Sequence, residues 1–289
     1  MSPLTVPGMT FSIVARSADG LAHGVAVASK FLSVGAVVPA AEAGVGALAT
    51  QSYANVAYRP QGLTLLRTQV SAADVVAGLT AADPGRAQRQ LGVVGRFGEG
   101  ATFTGAECHD WAGGLAGDGY AIQGNILAGP QVVEAMKDAF LASDDTATGD
   151  SAMRLARRLV AALRAGDAAG GDRRGRQSAA VFVVAPGAGY GGTSDVAVDL
   201  RTDDHTDPCA ELERLLGLHA LLFEKADPDT LLDLDGDLSA EVAAKLAGLG
   251  HTQDDVDAAL ADWAGIENLE ERITPGRIDP LVLAHLRSL

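Results

Sequence analysis

The fold is decided by residues 10–51, TFSIVARSADGLAHGVAVASKFLSVGAVVPAAEAGVGALATQ. Small and β-branched residues between turn signals predict strands over 11–15, 24–28, 36–38 and 45–50. Thr10 opens the first of these strands directly after Met9, and Lys30 follows the second. A threonine whose α-amine is free can use that amine as its own general base. The segment is therefore compatible with a nucleophile, Thr10, and a charged partner, Lys30, or with two ordinary residues of a strand and its end.

Composition excludes several classes of protein. The chain has 289 residues, of which 47% are hydrophobic and only 4% aromatic, so the core must consist mainly of alanine, valine and leucine. The net charge of −15 argues against a nucleic-acid partner, because phosphates are bound by basic surfaces. It argues equally against an anionic membrane surface.

Cysteine use and hydropathy indicate a cellular compartment. Cys108 and Cys209 are too few for a disulfide framework, and no paired CxxC motif suggests a structural zinc. The sequence shows neither a signal-peptide pattern nor a run of eighteen apolar residues. We therefore expect a cytoplasmic protein in a reducing compartment.

The order of elements predicts an α+β fold. Strands, two helices, strands, two helices, strands and one helix follow each other, which fits two stacked sheets with helices on both outer faces. No G-x-G-x-x-G motif opens a helix after the first strand, which argues against a dinucleotide-binding fold. The predicted regions are an extension, the sheet-containing domain, an acidic linker and a three-helix module, at residues 1–8, 9–225, 226–238 and 239–289.

The glycine-rich segment 105–129 carries several residues of catalytic type. In an extended chain Cys108 and Asp110 share one face and His109 lies on the other, so a cysteine nucleophile would need a histidine from elsewhere, such as His205. His109, Asp110 and His205 are metal-ligand types without ligand spacing. The simplest interpretation is a loop held by side-chain hydrogen bonds beside a cleft, and we expect no metal.

Two further polar groups lie next to apolar strands. Asn125 interrupts an apolar strand, so its amide must either hold the backbone or donate to an oxyanion. Arg173, Arg174 and Arg176 precede another strand, where arginine could bind a substrate carboxylate bidentately or pair with nearby aspartates. The position closest to the strand makes Arg176 the best candidate of the three for substrate binding.

An acidic run in the linker resembles the start of a calcium loop. Asp233, Asp235 and Asp237 alternate there, but the glycine is Gly236 and no glutamate closes the loop. A solvated turn is the favoured interpretation, and we expect no cofactor.

Several motifs together resemble one known family. They are MTFSIVAR, GVAVASKFLSVGAVVP, ATQSYAN, FTGAECHDWAG, QGNILAGP and AGGDRRGRQSAA. In this order they are similar to the domain-of-unknown-function 1028 (DUF1028) proteins, which are grouped with the N-terminal nucleophile (Ntn) hydrolases. The resemblance covers about Met9 to Phe223 and implies a four-layer αββα sandwich. It implies Thr10 as nucleophile, although family members typically begin at the Met-Thr pair and here eight residues precede Met9.

The C-terminal part has a resemblance of its own. LAGLGHTQDDVDAALADWAGIENLEERI and IDPLVLAHLR are similar to a peptidoglycan-binding-like module of three short helices that is often attached to this family. The expected cytoplasmic location disfavours cell-wall binding. A role in protein interaction or dimerisation is the alternative, and a homo-oligomer is compatible with it.

These observations lead to a functional hypothesis. We expect an amide hydrolase acting on a small, carboxylate-bearing substrate, with Thr10, Lys30 and Asn125 as catalytic residues. The expected substrate-binding residues are Gln51, Ser52, Cys108, His109, Asp110 and Arg176. The alternative is a non-catalytic protein that binds a small molecule or a partner on the same scaffold.

Overall fold

The computed structural model describes residues 10–143 and 150–289. The predicted N-terminal extension, residues 1–8, lies outside the described residues. Contacts divide the chain into two compact units, Met1–Leu216 and Gly217–Leu289.

Strands and helices are distributed along the whole described chain. The strands are β1 (Thr10–Arg16), β2 (His23–Ser29), β3 (Pro39–Glu42), β4 (Gly46–Ser52), β5 (Arg89–Gly95), β6 (Ala101–Thr104), β7 (Gly113–Gly117), β8 (Tyr120–Asn125), β9 (Ser178–Val184), β10 (Val196–Thr202), β11 (Leu232–Asp233) and β12 (Arg277–Ile278). The α-helices are α1 (Tyr58–Arg67), α2 (Ala72–Ala81), α3 (Gln131–Ala142), α4 (Ser151–Ala168), α5 (Pro208–Phe223), α6 (Gly236–Gly248), α7 (Val256–Glu267) and α8 (Pro280–Ser288).

Two antiparallel sheets form the centre of the first unit. The larger has the strand order β10-β9-β2-β1-β8-β7, and the smaller has the order β3-β4-β5-β6. Small and β-branched side chains from both sheets form a shared buried cluster that includes Val14, Val25, Val27, Ala49 and Val94. The buried members of this cluster are all alanine and valine, as the composition predicts, and the partly buried Phe31 packs against them.

Helices cover the outer face of each sheet. On the smaller sheet, Leu66 of α1 and Leu79 of α2 pack with Leu48 and Leu91 in one buried cluster. On the larger sheet, α4 contacts β1, β2 and β9, and α3 packs against α4. Two antiparallel sheets therefore lie between two helical layers, in a mixed α/β unit.

Two local predictions are wrong. A strand was expected over residues 36–38, but the structure has a 3₁₀ turn at Val34–Ala36 and begins β3 at Pro39. The turn buries Val34 and Gly35, and its backbone N–H groups bond three residues back, as in Val37 N–H to Val34 O at 3.1 Å. β7 was not expected, because its sequence GGLAG has little intrinsic strand preference; pairing with β8 forms it.

The second unit is mainly helical. Its core contains Val242 of α6, Trp263 of α7 and Leu286 of α8, all buried. Within the segment expected to be an acidic linker, Leu234 is buried in this core, and β11 pairs with β12. Over residues 10–143 and 150–289, no group of three or more His, Cys, Asp and Glu side chains is arranged to hold a metal ion. In the same residues, no helix is both long and apolar enough to span a membrane.

A buried histidine at the start of β2 makes stability depend on pH. His23 is fully buried, and burial lowers the pKa of its imidazole to about 4, with the charges of Arg16 and Arg96 acting in the same direction. The unfolded state titrates near the ordinary value of 6.5 and so binds more protons between pH 6.5 and 4. The contribution of His23 to the free energy of unfolding is therefore fully present above pH 6.5 and is lost as the pH falls towards 4.

We expect a loss of about 2 kcal/mol between pH 7 and pH 5 from His23 alone. Urea titrations at the two pH values measure it. In a His23→Gln variant most of this difference should disappear, whereas His205→Gln, which changes an exposed histidine, should retain it. An equal pH dependence in wild type and His23→Gln would contradict the assignment.

Candidate functional site

A row of polar residues lies where the four inner strands of the larger sheet begin or end. Strand pairing places Thr10 opposite Ser29 on one side and opposite Asn125 on the other. Ser29 in turn lies opposite Ser178. All four side chains are polar and buried, and each belongs to the first or last residue of its strand. Because buried polar groups must be hydrogen-bonded, the partners of these four side chains have to be identified.

The hydroxyl of Thr10 has a hydroxyl neighbour. Thr10 Oγ1 lies 3.2 Å from Ser29 Oγ, and either oxygen can donate. Both residues are at most 3% exposed. The antiparallel register of β1 and β2 fixes this pair, since it brings the first residue of one strand beside the last of the other.

The main chain of Thr10 is held by buried amides. Its carbonyl accepts hydrogen bonds from Gln51 Nε2 at 3.2 Å and from Asn125 Nδ2 at 3.5 Å. Both amides also donate to Gln90 Oε1, each at 2.9 Å. A side-chain amide has two N–H donors, so Asn125 uses both within this network. An oxyanion could engage Asn125 only by replacing one of these bonds.

The network continues between the two sheets. Ser12 Oγ donates to Gln51 Oε1 at 2.5 Å and accepts from Gln123 Nε2 at 2.6 Å. Gln90 Nε2 donates to the carbonyl of Gly124 at 2.7 Å. Ser12, Gln90 and Gln123 are completely buried. These bonds tie β4 and β5 of one sheet to β1 and β8 of the other directly beneath Thr10.

Sequence reasoning did not single out Ser12, Gln90 or Gln123 as site residues. Gln123 lies two residues before Asn125 on the same strand and therefore on the same face. The argument that made Asn125 a candidate, an amide within an apolar strand, applies to it equally. Gln90 carries the same signal at the start of β5.

The structure places Lys30 and Arg176 beside the row but gives them other partners. Lys30 donates through its backbone N–H to Asp172 Oδ2 at 2.8 Å and through Nζ to the carbonyl of Arg176 at 3.1 Å. Arg176 Nε lies 2.8 Å from Oδ1 of the buried Asp167, and this ion pair raises the pKa of Arg176. Arg174 pairs with Asp172 at 3.3 Å. A substrate carboxylate would therefore compete with Asp167 for Arg176.

Cys108 lies in a loop beside β5. Its thiol is buried and donates to the carbonyl of Arg89 at 3.3 Å. Burial raises the pKa of Cys108, and a hydrogen bond with Ser52, at the end of β4, offsets this in part. A thiol with a raised pKa is protonated at neutral pH and is a poor nucleophile.

The neighbours of Cys108 face solvent. His109 is exposed, and its Nε2 lies 3.4 Å from the hydroxyl of Tyr53. Asp110 is also exposed, and its backbone carbonyl accepts from Arg173 at 3.3 Å. The loop is tied to the strand end that carries Asn125, because Ile126 N–H donates to His109 O at 2.9 Å. The fold thus brings this loop to the same end of the larger sheet as the polar row.

Comparison with known proteins covers both units. Residues 10–212 match a family model described as "Family of unknown function (DUF1028)". Residues 222–286 match one described as "Putative peptidoglycan binding domain". The chain is similar to the crystal structure of a protein from Silicibacter pomeroyi with the same DUF1028 description, at 33% identity and a TM-score of 0.63, over 81% of this chain and 93% of that one. No curated protein matches the chain.

Proposed function

The chain belongs to the DUF1028 family, and we propose that its N-terminal unit is an amide hydrolase of the Ntn type with Thr10 as the nucleophile. The observation that carries the proposal is the position of Thr10. It begins β1, a central strand of the larger sheet, its hydroxyl lies 3.2 Å from that of Ser29, and its carbonyl accepts from Gln51 and Asn125. The backbone of a nucleophile fixed in this way is already positioned for attack.

The proposed reaction uses the two ends of one residue. Thr10 Oγ1 attacks the carbonyl carbon of the substrate amide, and the α-amine of Thr10 takes the hydroxyl proton. The tetrahedral intermediate collapses when the leaving nitrogen receives this proton, which leaves a threonyl ester and a free amine. The same α-amine then deprotonates a water molecule that hydrolyses the ester and restores Thr10.

The other proposed site residues surround this centre. Lys30 directly follows Ser29, which pairs with Thr10, and is proposed to disfavour protonation of the α-amine electrostatically. Asn125 is proposed as an oxyanion donor once its bond to Thr10 O is released. Arg176 is proposed to bind a substrate carboxylate in exchange for Asp167.

The remaining proposed contacts come from the end of β4 and from one loop. We propose that Gln51 and Ser52, at the end of β4, and the loop Cys108–Asp110 line the substrate side of the polar row. His109 and Asp110 are exposed and so are available to a substrate without any rearrangement. Cys108, with its raised pKa, contributes to shape and not to nucleophilic attack.

The free-amine mechanism makes a prediction about the mature chain. Thr10 can act as its own base only if the peptide bond between Met9 and Thr10 is absent. We expect the intact mass of the protein purified from its own host to correspond to a chain beginning at Thr10. Expression from a gene that starts at Met9 provides the matched sample, because removal of the initiator methionine would give the same product.

An intact mass that corresponds to a chain beginning at Met1, Ser2 or Met9 would contradict this mechanism. The second candidate, a non-catalytic binding protein on the same scaffold, would then lead. It is favoured by one specific observation, that both N–H groups of Asn125 are already bonded within the protein.

A further inference from the structure

A cleft of about 530 Å³ opens in the first unit among β3, α1, β9 and β10. Arg59 of α1 and the pair Asp199 and Arg201 of β10 provide its charged groups. Its lining does not include Thr10 or the other residues of the polar row and network. Its volume lies within the range of about 300–1,000 Å³ that is usual for small-molecule sites.

Arg59 presents an unused hydrogen-bonding edge. Its Nη1 donates to the backbone carbonyls of Ala36 at 2.9 Å and Val37 at 3.4 Å, which fixes the half-buried guanidinium on the 3₁₀ turn. Its Nε and Nη2 have no hydrogen-bond partner among the described residues. These two groups form the edge of a guanidinium that binds a carboxylate with two parallel hydrogen bonds.

Arg201 shows the same geometry with its edge filled. Its Nε and Nη2 donate to the two carboxylate oxygens of Asp199 at 2.9 and 3.1 Å. The cleft therefore contains one arginine that is neutralised by a bidentate carboxylate and one, Arg59, that is not. The three side chains carry a net charge of +1 within a chain whose total charge is −15.

The positive charge of Arg59 is disfavoured by its surroundings within the protein. Burial lowers the pKa of Arg59, and the charge of Arg201 lowers it further. A bound anion would compensate both effects, because an opposite charge stabilises the charged form of a group close to it.

Apolar side chains complete the cleft. They include Pro39, Val56, Pro60, Leu63 and Phe182, and Val56 is 53% exposed. Such a surface would gain from contact with the hydrocarbon part of a ligand.

We propose that this cleft binds a small organic monocarboxylate, whose carboxylate accepts two hydrogen bonds from Nε and Nη2 of Arg59 and whose apolar body packs between α1 and β9. The proposal does not depend on Thr10 being a nucleophile. A monoanion fits the net charge of +1, whereas a phosphate dianion would place excess negative charge near Asp199.

Calorimetry on the full chain with three probes tests the ligand class. The probes are 4-phenylbutanoate, its neutral analogue 4-phenylbutanamide, and phenyl phosphate. We expect the carboxylate to bind, and we expect the amide to have a Kd at least about tenfold higher, because the amide cannot form charge-assisted hydrogen bonds with Arg59. Equal binding of acid and amide, tighter binding of phenyl phosphate, or no binding of the acid at about 10 mM, well above the Kd expected for a bidentate contact with apolar packing, would overturn the proposal.

Variants of Arg59 test the contact itself. Arg59→Lys keeps the charge but loses the two-pronged edge, and Arg59→Met loses both, so each should weaken binding of 4-phenylbutanoate about tenfold or more. Arg67→Met is the matched control, because Arg67 lies on the same helix but pairs with Glu42 and does not line the cleft. Unchanged affinity in Arg59→Lys and Arg59→Met would overturn the proposal.

A measurement on the wild type guards against misfolded variants. Arg59 supports the turn at Ala36 and Val37, so its replacement could loosen that turn. The Nε–Hε resonance of Arg59 should shift on titration with 4-phenylbutanoate and not with 4-phenylbutanamide. A resonance that does not move while the acid binds would place the ligand elsewhere and overturn the proposal.

Discussion

Thr10→Ala is expected to abolish amide hydrolysis by the full chain and to leave the fold intact. Removal of the nucleophile of a covalent mechanism typically lowers kcat by about 10³-fold or more. The structural cost is small, because the change removes one hydroxyl contact, with Ser29, and one buried methyl group, each of which contributes about 1 kcal/mol. Loss of activity with at most a small fall in the unfolding midpoint would therefore identify a chemical role.

The measurement needs a substrate or a reactive probe. A panel of N-acyl amino acids and amino-acid amides, with release of amine or ammonia as the signal, covers small carboxylate-bearing amides. β-Lactones acylate activated hydroxyls, so the wild type should gain the full mass of the lactone on the peptide that begins with Thr10. Thr10→Ser keeps a hydroxyl at the same position and should retain both acylation and turnover.

Three results would separate the alternatives. Turnover that survives Thr10→Ala would exclude Thr10 as the nucleophile. Acylation on Cys108 would contradict the inert thiol indicated by its raised pKa. A protein that begins at Thr10 but hydrolyses no amide and takes up no lactone would favour the binding function.

Local sequence patterns were sufficient for most strands of the two sheets and for the position of Thr10 at the start of β1. The hairpin of β1 and β2 and the helices follow from the spacing of apolar residues and turn signals, which act over short distances. The register that places Thr10 beside Ser29 follows from the same hairpin. Most of the first unit could therefore be predicted from neighbouring residues alone.

The interior of the site could not be predicted in this way. The bonds that join Gln51, Gln90 and Asn125 connect β4, β5 and β8, which are distant in sequence and meet only when the two sheets stack. The partner of Arg176 could not be predicted for the same reason, because Asp167 lies near the end of α4 and the two residues meet only in the folded chain. The arginines before β9 could bind a substrate carboxylate or pair with nearby aspartates, and the fold gives Arg176 an ion pair with a buried aspartate.

The cleft shows why long-range pairing matters for function. Arg59 and Arg201 carry no motif and lie far apart in the sequence, on α1 and β10. Only the packing of the helix against β3 and the pairing of β9 with β10 bring them to one cavity. A sequence pattern can identify an arginine, but the unfilled edge of its guanidinium is visible only once its neighbours are placed.

A buried ion pair organises the second unit. Arg272 and Asp279 are at most 4% exposed, and Arg272 Nη1 lies 2.5 Å from Asp279 Oδ2. Arg272 also donates to the carbonyls of Ala220 and Leu221 near the C-terminal end of α5, where a helix has more carbonyl acceptors than N–H donors of its own. Asp279 accepts from the N–H of Leu281 and so caps α8. This ion pair thus forms hydrogen bonds with backbone groups at the C-terminal end of α5 and at the start of α8.

Arg272→Met is therefore expected to destabilise the second unit by about 3–5 kcal/mol, because it leaves the carboxylate of Asp279 buried without a counter-charge. Urea unfolding followed by the fluorescence of the buried Trp263 measures this, in a Trp111→Phe background that removes the other tryptophan. Arg277→Met is the matched control, since its partner Asp233 is exposed and such pairs contribute about 0–1 kcal/mol. Adding Asp279→Asn to Arg272→Met should recover part of the loss, because the stranded charge is then removed. Equal midpoints for wild type and Arg272→Met would show that the pair does not stabilise this unit.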